Sequence, residues 1–381
     1  MTSNYLKTGI GAMLICASAS SHAQSSVELY GLIDAGITYV SNQGGQSLVK
    51  FADGINFGNR LGFMGTEDLG GGYKALFKLE NGFSLGTGAL GQGGAMFGRQ
   101  AYVGLGNAWG TLTLGNQYDF VFDYMSEFSA TGYALATGGH MGDVDRQGGD
   151  RLNNAVKFSS NSFGGLRFGA MYSFGGVAGS LHENSAFSAG LRYDGDKLAA
   201  AAVYTQLNNP HGIAGLDPYN QLGVFTFLNQ TVAVRNPTTG AVTDLYPYGN
   251  AFPVDRQSMT ELGASYKLGK LTVTGNVTAT QFKGYGTSET LWVYEVGGLY
   301  SVTPELLGIV GYQYEKMDNV HWNQPTVGLY YFLSKRTSFY AAASYLFASG
   351  PLVATQGQGF YNDPSSNHEQ ASARIGIIHK F

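Results

Sequence analysis

The stretch VELYGLIDAGITY, residues 27–39, decides the fold. Val27, Leu29, Gly31, Ile33, Ala35, Ile37 and Tyr39 share one parity, while Glu28, Tyr30, Asp34 and Thr38 hold the other. Successive side chains of a strand point to opposite faces, so this alternation predicts a strand with one apolar and one polar side. The same rhythm recurs along the chain. Leu61 and Phe63 alternate with Arg60 and Gly62, the turn EDLGGG (67–72) follows, and Ala75, Phe77 and Leu79 then alternate with Lys74, Lys78 and Glu80. FGRQAYVGLG and TLTLGNQYD flank a turn at 106–110, and RLNNAVKF and LRFGAMYSF flank another at 160–165. Four further pairs lie across short turns: SAFSAGLRY with KLAAAAVYTQL, MTELGASYK with LTVTGNVTATQF, LWVYEVGGLY with LLGIVGYQYE, and TVGLYYFL with SFYAAASYLF. ASARIGIIHKF ends the chain, which makes sixteen predicted strands.

The connections alternate in length. One set is short, and the other is mostly long, at 41–58, 86–95, 118–151, 175–184, 208–255 and 348–367. An even strand count with short turns on one side and long loops on the other marks a transmembrane β-barrel. Lipid offers backbone groups no hydrogen bonds, so a sheet within it must close on itself. A barrel of about sixteen strands encloses water rather than a packed core. The composition agrees: charged residues are 13% of the chain, against about 25% in soluble domains. There are 57 Gly, 25 Tyr and 23 Phe in 381 residues, and mean hydropathy is −0.07. No apolar run reaches the roughly 20 residues of a spanning helix.

Residues 1–23 are predicted to be a signal peptide, with Lys7 as its positive start, an apolar run over 8–19 and the small-x-small site Ser21-His22-Ala23. Ile15 stands where a lipoprotein needs a small residue before Cys16. Cys16 is the only cysteine, so residues 24–381, the predicted barrel domain, hold without disulfides. Loss of the one signal-peptide Lys takes the formal charge from −4 to −5. That mild acidity gives no footprint for nucleic acid.

One loop stands apart. Residues 118–151 are far longer than ordinary connections of about 4–6 residues, yet they hold Phe120, Phe122, Tyr124, Met125, Phe128 and Tyr133. Disordered segments are poor in such residues, because ordering must be offset by apolar burial. A long apolar loop of this kind requires something concave to pack into.

At this point the chain resembles the general diffusion porins of the Gram-negative outer membrane, most closely the trimeric beta-proteobacterial type. The motifs that carry the resemblance are SSVELYGLIDAG, RLGFMGTEDLGGGYKALFKLENGF, GRQAYVGL, TLTLGNQYD, RLNNAVKFSS, LSKRTSFY and the terminal HKF, in order from end to end of the mature chain. The resemblance implies an all-β, 16-stranded antiparallel barrel, assembled as a homotrimer in outer-membrane lipid, whose third long loop folds inward to narrow the pore. It implies wall arginines at Arg60, Arg99 and Arg151, loop carboxylates at Asp123 and Glu127 opposite them, a wall carboxylate at Glu80, and an assembly signal at Phe381. Departures from the family pattern fall at Ser126, Ser129-Ala130 and Leu32. The implied function is passive diffusion of small hydrophilic solutes and ions, with no cofactor. The alternatives are a solute-specific channel, or a non-conducting surface barrel or adhesin that uses its long loops.

Arginine facing lipid at the midplane of a barrel costs about 2–4 kcal/mol, so Arg60, Arg99 and Arg151 are expected to point into the lumen. Opposed rows of Arg and carboxylate would set a transverse field in a narrow gap. Three arginines against Asp123, Glu127 and Glu80 nearly balance, which leaves the sign of ion selectivity open. Asp143, Asp145 and Asp150 are expected as solvated loop acids, because the D-x-D spacing lacks the Gly and distal Glu of a calcium loop. His140, His182, His211, His321 and His368 have no paired zinc-site spacing. No G-x-S-x-G or H-E-x-x-H motif argues for an enzyme. Trp109, Tyr39, Tyr102, Tyr172, Tyr266, Tyr300, Tyr331 and Tyr345 are expected in the interfacial aromatic girdles.

Overall fold

The computed structural model describes residues 26–210, 216–247, 250–357 and 364–381; the signal-peptide segment 1–23 lies outside the described residues. The elements in chain order begin with β1 (Ser26–Gln43), β2 (Gln46–Asp53), β3 (Arg60–Gly70), β4 (Tyr73–Gly82), β5 (Gln100–Gly106) and β6 (Gly110–Tyr118). The short helices α1 (Phe120–Met125) and α2 (Ala130–Ala134) follow, then β7 (Arg151–Ser160), β8 (Leu166–Ser173), β9 (Ala186–Asp194) and β10 (Leu198–Asn208). After helix α3 (Pro218–Leu222) come two small hairpins, β11 (Thr226–Phe227) with β12 (Gln230–Thr231), and β13 (Ala233–Arg235) with β14 (Val242–Asp244). The last seven strands are β15 (Arg256–Leu268), β16 (Leu271–Gly284), β17 (Thr287–Ser301), β18 (Leu306–Met317), β19 (Val320–Phe332), β20 (Thr337–Ser349) and β21 (Glu369–Lys380).

Every neighbour in the large sheet pairs antiparallel, and β1 closes it by pairing with β21 over Leu32↔Lys380 to Val40↔Ser372. The seam is finished by Phe381, which exchanges backbone bonds with Gly31 (2.9 and 3.1 Å). Its ring lies where a Cβ on Gly31 would have to sit. A closed sheet has no edge to aggregate, and its ladders pair the backbone groups that lipid cannot satisfy.

Together β2 and β3 make one wall strand with an inward break. Ala35 pairs with Asp53 and Leu32 with Arg60, so three steps along β1 match seven along its neighbour. The excess, residues 54–59, turns into the barrel. Counted this way the closed antiparallel barrel has sixteen strands. The sequence reading of 41–58 as a long loop is corrected here: β1 runs on to Gln43 and turns at Gly44-Gly45 (φ +59° and +99°) straight into β2. Two consecutive positive φ values suit a tight hairpin, and glycine reaches them without strain.

The two faces invert the habit of a soluble protein. On β1, Val27 is 70% exposed and Ile37 44%, whereas Asp34 and Thr38 are at most 1% exposed. On β16 to β18 the outward residues are Val273, Val296 and Val310, and the inward ones Thr278, Glu295 and Glu315. Apolar side chains form the outer belt and polar ones the inner wall, as lipid outside and water inside require. Trp109, Tyr39, Tyr266, Tyr300, Tyr331 and Tyr345 are exposed on that outer surface. Tyr102 is a correction: it shares parity with Gln100 and Gly104, opposite the exposed Val103 and Leu105, and so faces inward.

Within the 208–255 segment, the described residues 216–247 and 250–255 form an inward lobe. Leu222, Val224, Phe227, Leu228, Val232 and Phe252 pack with Phe282, Val293, Trp322 and Leu346 of the wall and with Met141 and Val144 of the 118–151 loop. It fills part of one mouth of the barrel with an apolar core.

Candidate pore constriction

The 118–151 loop is built to lie on the inner wall. Asp119 caps α1 by accepting from the backbone N–H of Val121 (3.0 Å). Phe120, Val121, Tyr124, Met125 and Phe128 are buried against Leu152, Met171, Val203 and Met259. Burying each large side chain of this kind contributes about 1.5–3 kcal/mol. Glycine on the wall admits the loop: a Cβ on Gly263 would lie 2.5 Å from the Phe128 ring, and one on Gly311 2.7 Å from Thr131.

Polar contacts then latch the loop to β15–β18. Glu295 accepts from the Thr131 backbone N–H (2.8 Å), Glu315 from that of Met141 (3.0 Å), and Glu261 from Gln147 Nε2 (2.9 Å). Gln313 accepts from Thr131 Oγ1 (2.9 Å) and donates to Gly139 O (2.9 Å). His140 bridges two carboxylates, with Nδ1 2.5 Å from Asp145 and Nε2 2.8 Å from Glu295. Burial alone would push the His140 imidazole down, but the charges of Asp145 and Glu295 and its bonds to them outweigh this and hold its pKa well above the ordinary value. Asp145 is 1% exposed and also accepts from Thr278 (2.9 Å), so the expectation of a solvated acid fails there. A charged histidine offsets its burial. Arg146 is likewise buried, donating to Asp119 (2.6 Å).

The opposite wall holds the cations. Arg99 donates from Nε to Glu80 (2.8 Å) and from Nη2 to the Tyr118 hydroxyl (2.7 Å), and Glu80 also accepts from Tyr30 (2.7 Å). Arg151 donates to Arg99 O (3.1 Å) and Tyr118 Oη (3.2 Å), and its guanidinium lies 4.8 Å over the Tyr118 ring. Arg60 donates to Gly58 O (2.9 Å). Arg99 and Arg151 thus meet at Tyr118, Glu80 lies against Arg99, and Arg60 follows on the segment that holds Gly58 against Arg99. Neither Arg60 nor Arg151 has a carboxylate partner among the described residues.

Asp123 and Glu127 are not in direct contact with those three arginines. Asp123 pairs with Lys157 of β7, and Glu127 with Arg192 of β9; Arg192 and Arg167 share Asp194 as well (2.9 and 2.6 Å). The sequence reading missed Lys157 and Arg192. Their inward parity was available in RLNNAVKF and SAFSAGLRY, but which carboxylate each would meet depends on the loop path. It also missed the buried pair Arg374–Asp34 (3.3 Å), where Arg374 donates to Thr38 (2.8 Å) and the Tyr340 hydroxyl to Asp34 (2.6 Å).

A family model described as Gram-negative porin matches residues 11–350. The chain belongs to the Gram-negative porins. Among relatives, an outer membrane porin of Bordetella pertussis is 30% identical over 98% of this chain and 100% of its own length. Among solved structures, an anion-selective porin from Comamonas acidovorans superposes with a TM-score of 0.75 at 24% identity, covering 94% of this chain and all of that one. OmpT of Vibrio cholerae in a trimer form gives 0.63 at 14% identity over 94% of this chain and 99% of that one. The porin is an outer-membrane protein.

Proposed function

We propose that this porin is a passive channel for small hydrophilic solutes and ions, narrowed by the 118–151 loop and preferring anions. The observation that carries the sign is the fate of the charges. Glu261, Glu295 and Glu315 lie buried beneath the loop with its donors on them, whereas Arg60 and Arg151 are partly exposed and lack a carboxylate. A covered, hydrogen-bonded charge contributes little field to the passage, while an uncompensated one in a confined aqueous gap attracts counter-ions. The anion selectivity named for the Comamonas structure fits this reading, and the trimer form of the Vibrio porin supports a homotrimer here. The non-conducting adhesin reading loses ground, because the 208–255 segment turns its Phe227, Leu228 and Phe252 inward instead of displaying them. The test is reversal potential in planar bilayers under a potassium chloride gradient. The expected sign is that of chloride permeation, and a potassium-favouring potential would overturn the reading.

A further inference from the structure

Beside the arginines stands an aromatic platform that ion diffusion alone does not require. Tyr133 projects from α2 with 37% of its surface exposed. It stacks on Tyr330 (5.6 Å, 25°) and meets Phe57 edge-on (6.0 Å, 82°). Polar bonds fix the platform. Asn56 donates to the Tyr330 hydroxyl (2.6 Å) and to Ala134 O (3.2 Å), and accepts from the Ala136 N–H (3.2 Å). Tyr330 in turn donates to Tyr133 O (3.0 Å). Rings held by their own backbone need no ordering when a ligand arrives.

The inward segment 54–59 ties this platform to the guanidinium cluster. Phe57 is followed by Gly58, whose carbonyl takes the Arg60 Nε bond and where a Cβ would lie 2.5 Å from Arg99 Nη1. Phe57 and Arg60 are therefore three residues apart on one short inward segment, with Arg99 against the Gly58 between them. The site already contains the contact it would offer a ligand, since Arg151 lies over Tyr118, and Tyr118 stacks on Phe122 (4.2 Å). Guanidinium presents donors in a planar fork and no acceptor, which matches the two oxygens of a carboxylate.

We propose that the constriction binds aromatic carboxylates, with the carboxylate on Arg60 and Arg151 and the flat ring against Tyr133 and Phe57. The proposal rests on the anion-preferring reading above and names a solute class for it. Sodium benzoate, sodium acetate and benzyl alcohol, tested as blockers of the chloride current through the purified porin in planar bilayers, separate the possibilities. Benzoate is expected to block saturably at roughly one-tenth the concentration of acetate, with benzyl alcohol ineffective. Tyr133→Leu and Phe57→Leu, which keep bulk and discard the aromatic face, are expected to weaken benzoate block about 3- to 10-fold. Both should leave acetate block and reversal potential unchanged. Arg60→Gln with Arg151→Gln should weaken both anions. Benzoate acting no better than acetate, with a chloride-favouring reversal potential intact, overturns the aromatic site and spares the channel reading. Block by benzyl alcohol equal to that by benzoate, or full benzoate block in both leucine variants, overturns it too. A potassium-favouring reversal potential removes the underlying function and the site with it.

Discussion

On the wall from β15 to β18, Glu261, Glu295 and Glu315 are at most 6% exposed, and each receives a donor from the loop that crosses the barrel. On the wall from β3 to β7, Arg60 and Arg151 stay partly open and bond only to carbonyls and a phenol. The two walls come from the same alternating pattern, yet the acids of one hold a loop in place and the cations of the other face the passage. Formal charge therefore does not say which charges meet water. The chain totals −4, yet three of its acids are covered by the loop.

The comparison breaks most severely at Glu295. Glu295→Ala removes the acceptor for Thr131 and one of the two partners of His140, and leaving a buried charge without its partner costs about 3–5 kcal/mol. Loosening of the loop is expected, read as larger and noisier single-channel currents; quiet wild-type currents would show that the latch lies elsewhere. Glu295→Gln keeps one acceptor oxygen and should be milder.

Next in size is the charge of the open wall. Arg60→Gln with Arg151→Gln removes the two uncompensated cations, and the chloride-to-potassium permeability ratio is expected to fall roughly severalfold. An unchanged reversal potential would place the selectivity outside this cluster.

The covered wall also carries a pH dependence. The folded-state pKa of His140 lies well above the ordinary imidazole value through Asp145 and Glu295. A raised folded pKa means that its anchoring is fully present below about pH 6.5 and is lost as pH climbs through the higher folded value. Asp145 responds in step, since His140 holds its pKa below the usual carboxylate value despite burial. Current noise is expected to stay low at neutral pH and rise under alkaline conditions, with His140→Gln flattening the profile. A wild-type profile that is already flat would remove His140 from the latch.

The smallest effect belongs to Glu127, 71% exposed and paired with Arg192. Exposed pairs contribute about 0–1 kcal/mol. Glu127→Gln should therefore leave thermal stability nearly unchanged while uncovering part of Arg192, with a slight further shift toward chloride. A shift toward potassium would mean that Glu127 repels no anions in the passage.

The sequence by itself determined the barrel. Strict period-two alternation, inverted for lipid outside and water inside, needs only neighbours along one strand, so it is legible without a fold. Alternation put Glu80 on the inner face, the cost of arginine in lipid put Arg60, Arg99 and Arg151 there, and the rings of 118–151 marked it as a loop that must bury them. The sequence reading misplaced 41–58, because Gly44-Gly45 between two alternating runs is a hairpin only if the strands on either side pair. Tertiary structure alone decided which charges meet. Asp123 found Lys157, Glu127 found Arg192, and Asp145 found His140 because the loop crosses the lumen before it turns back. Those partners lie up to 65 residues apart in the chain, and Glu295 is 155 from His140. Parity says which side of a wall a residue faces, and only the path of the loop says whether water or protein lies in front of it.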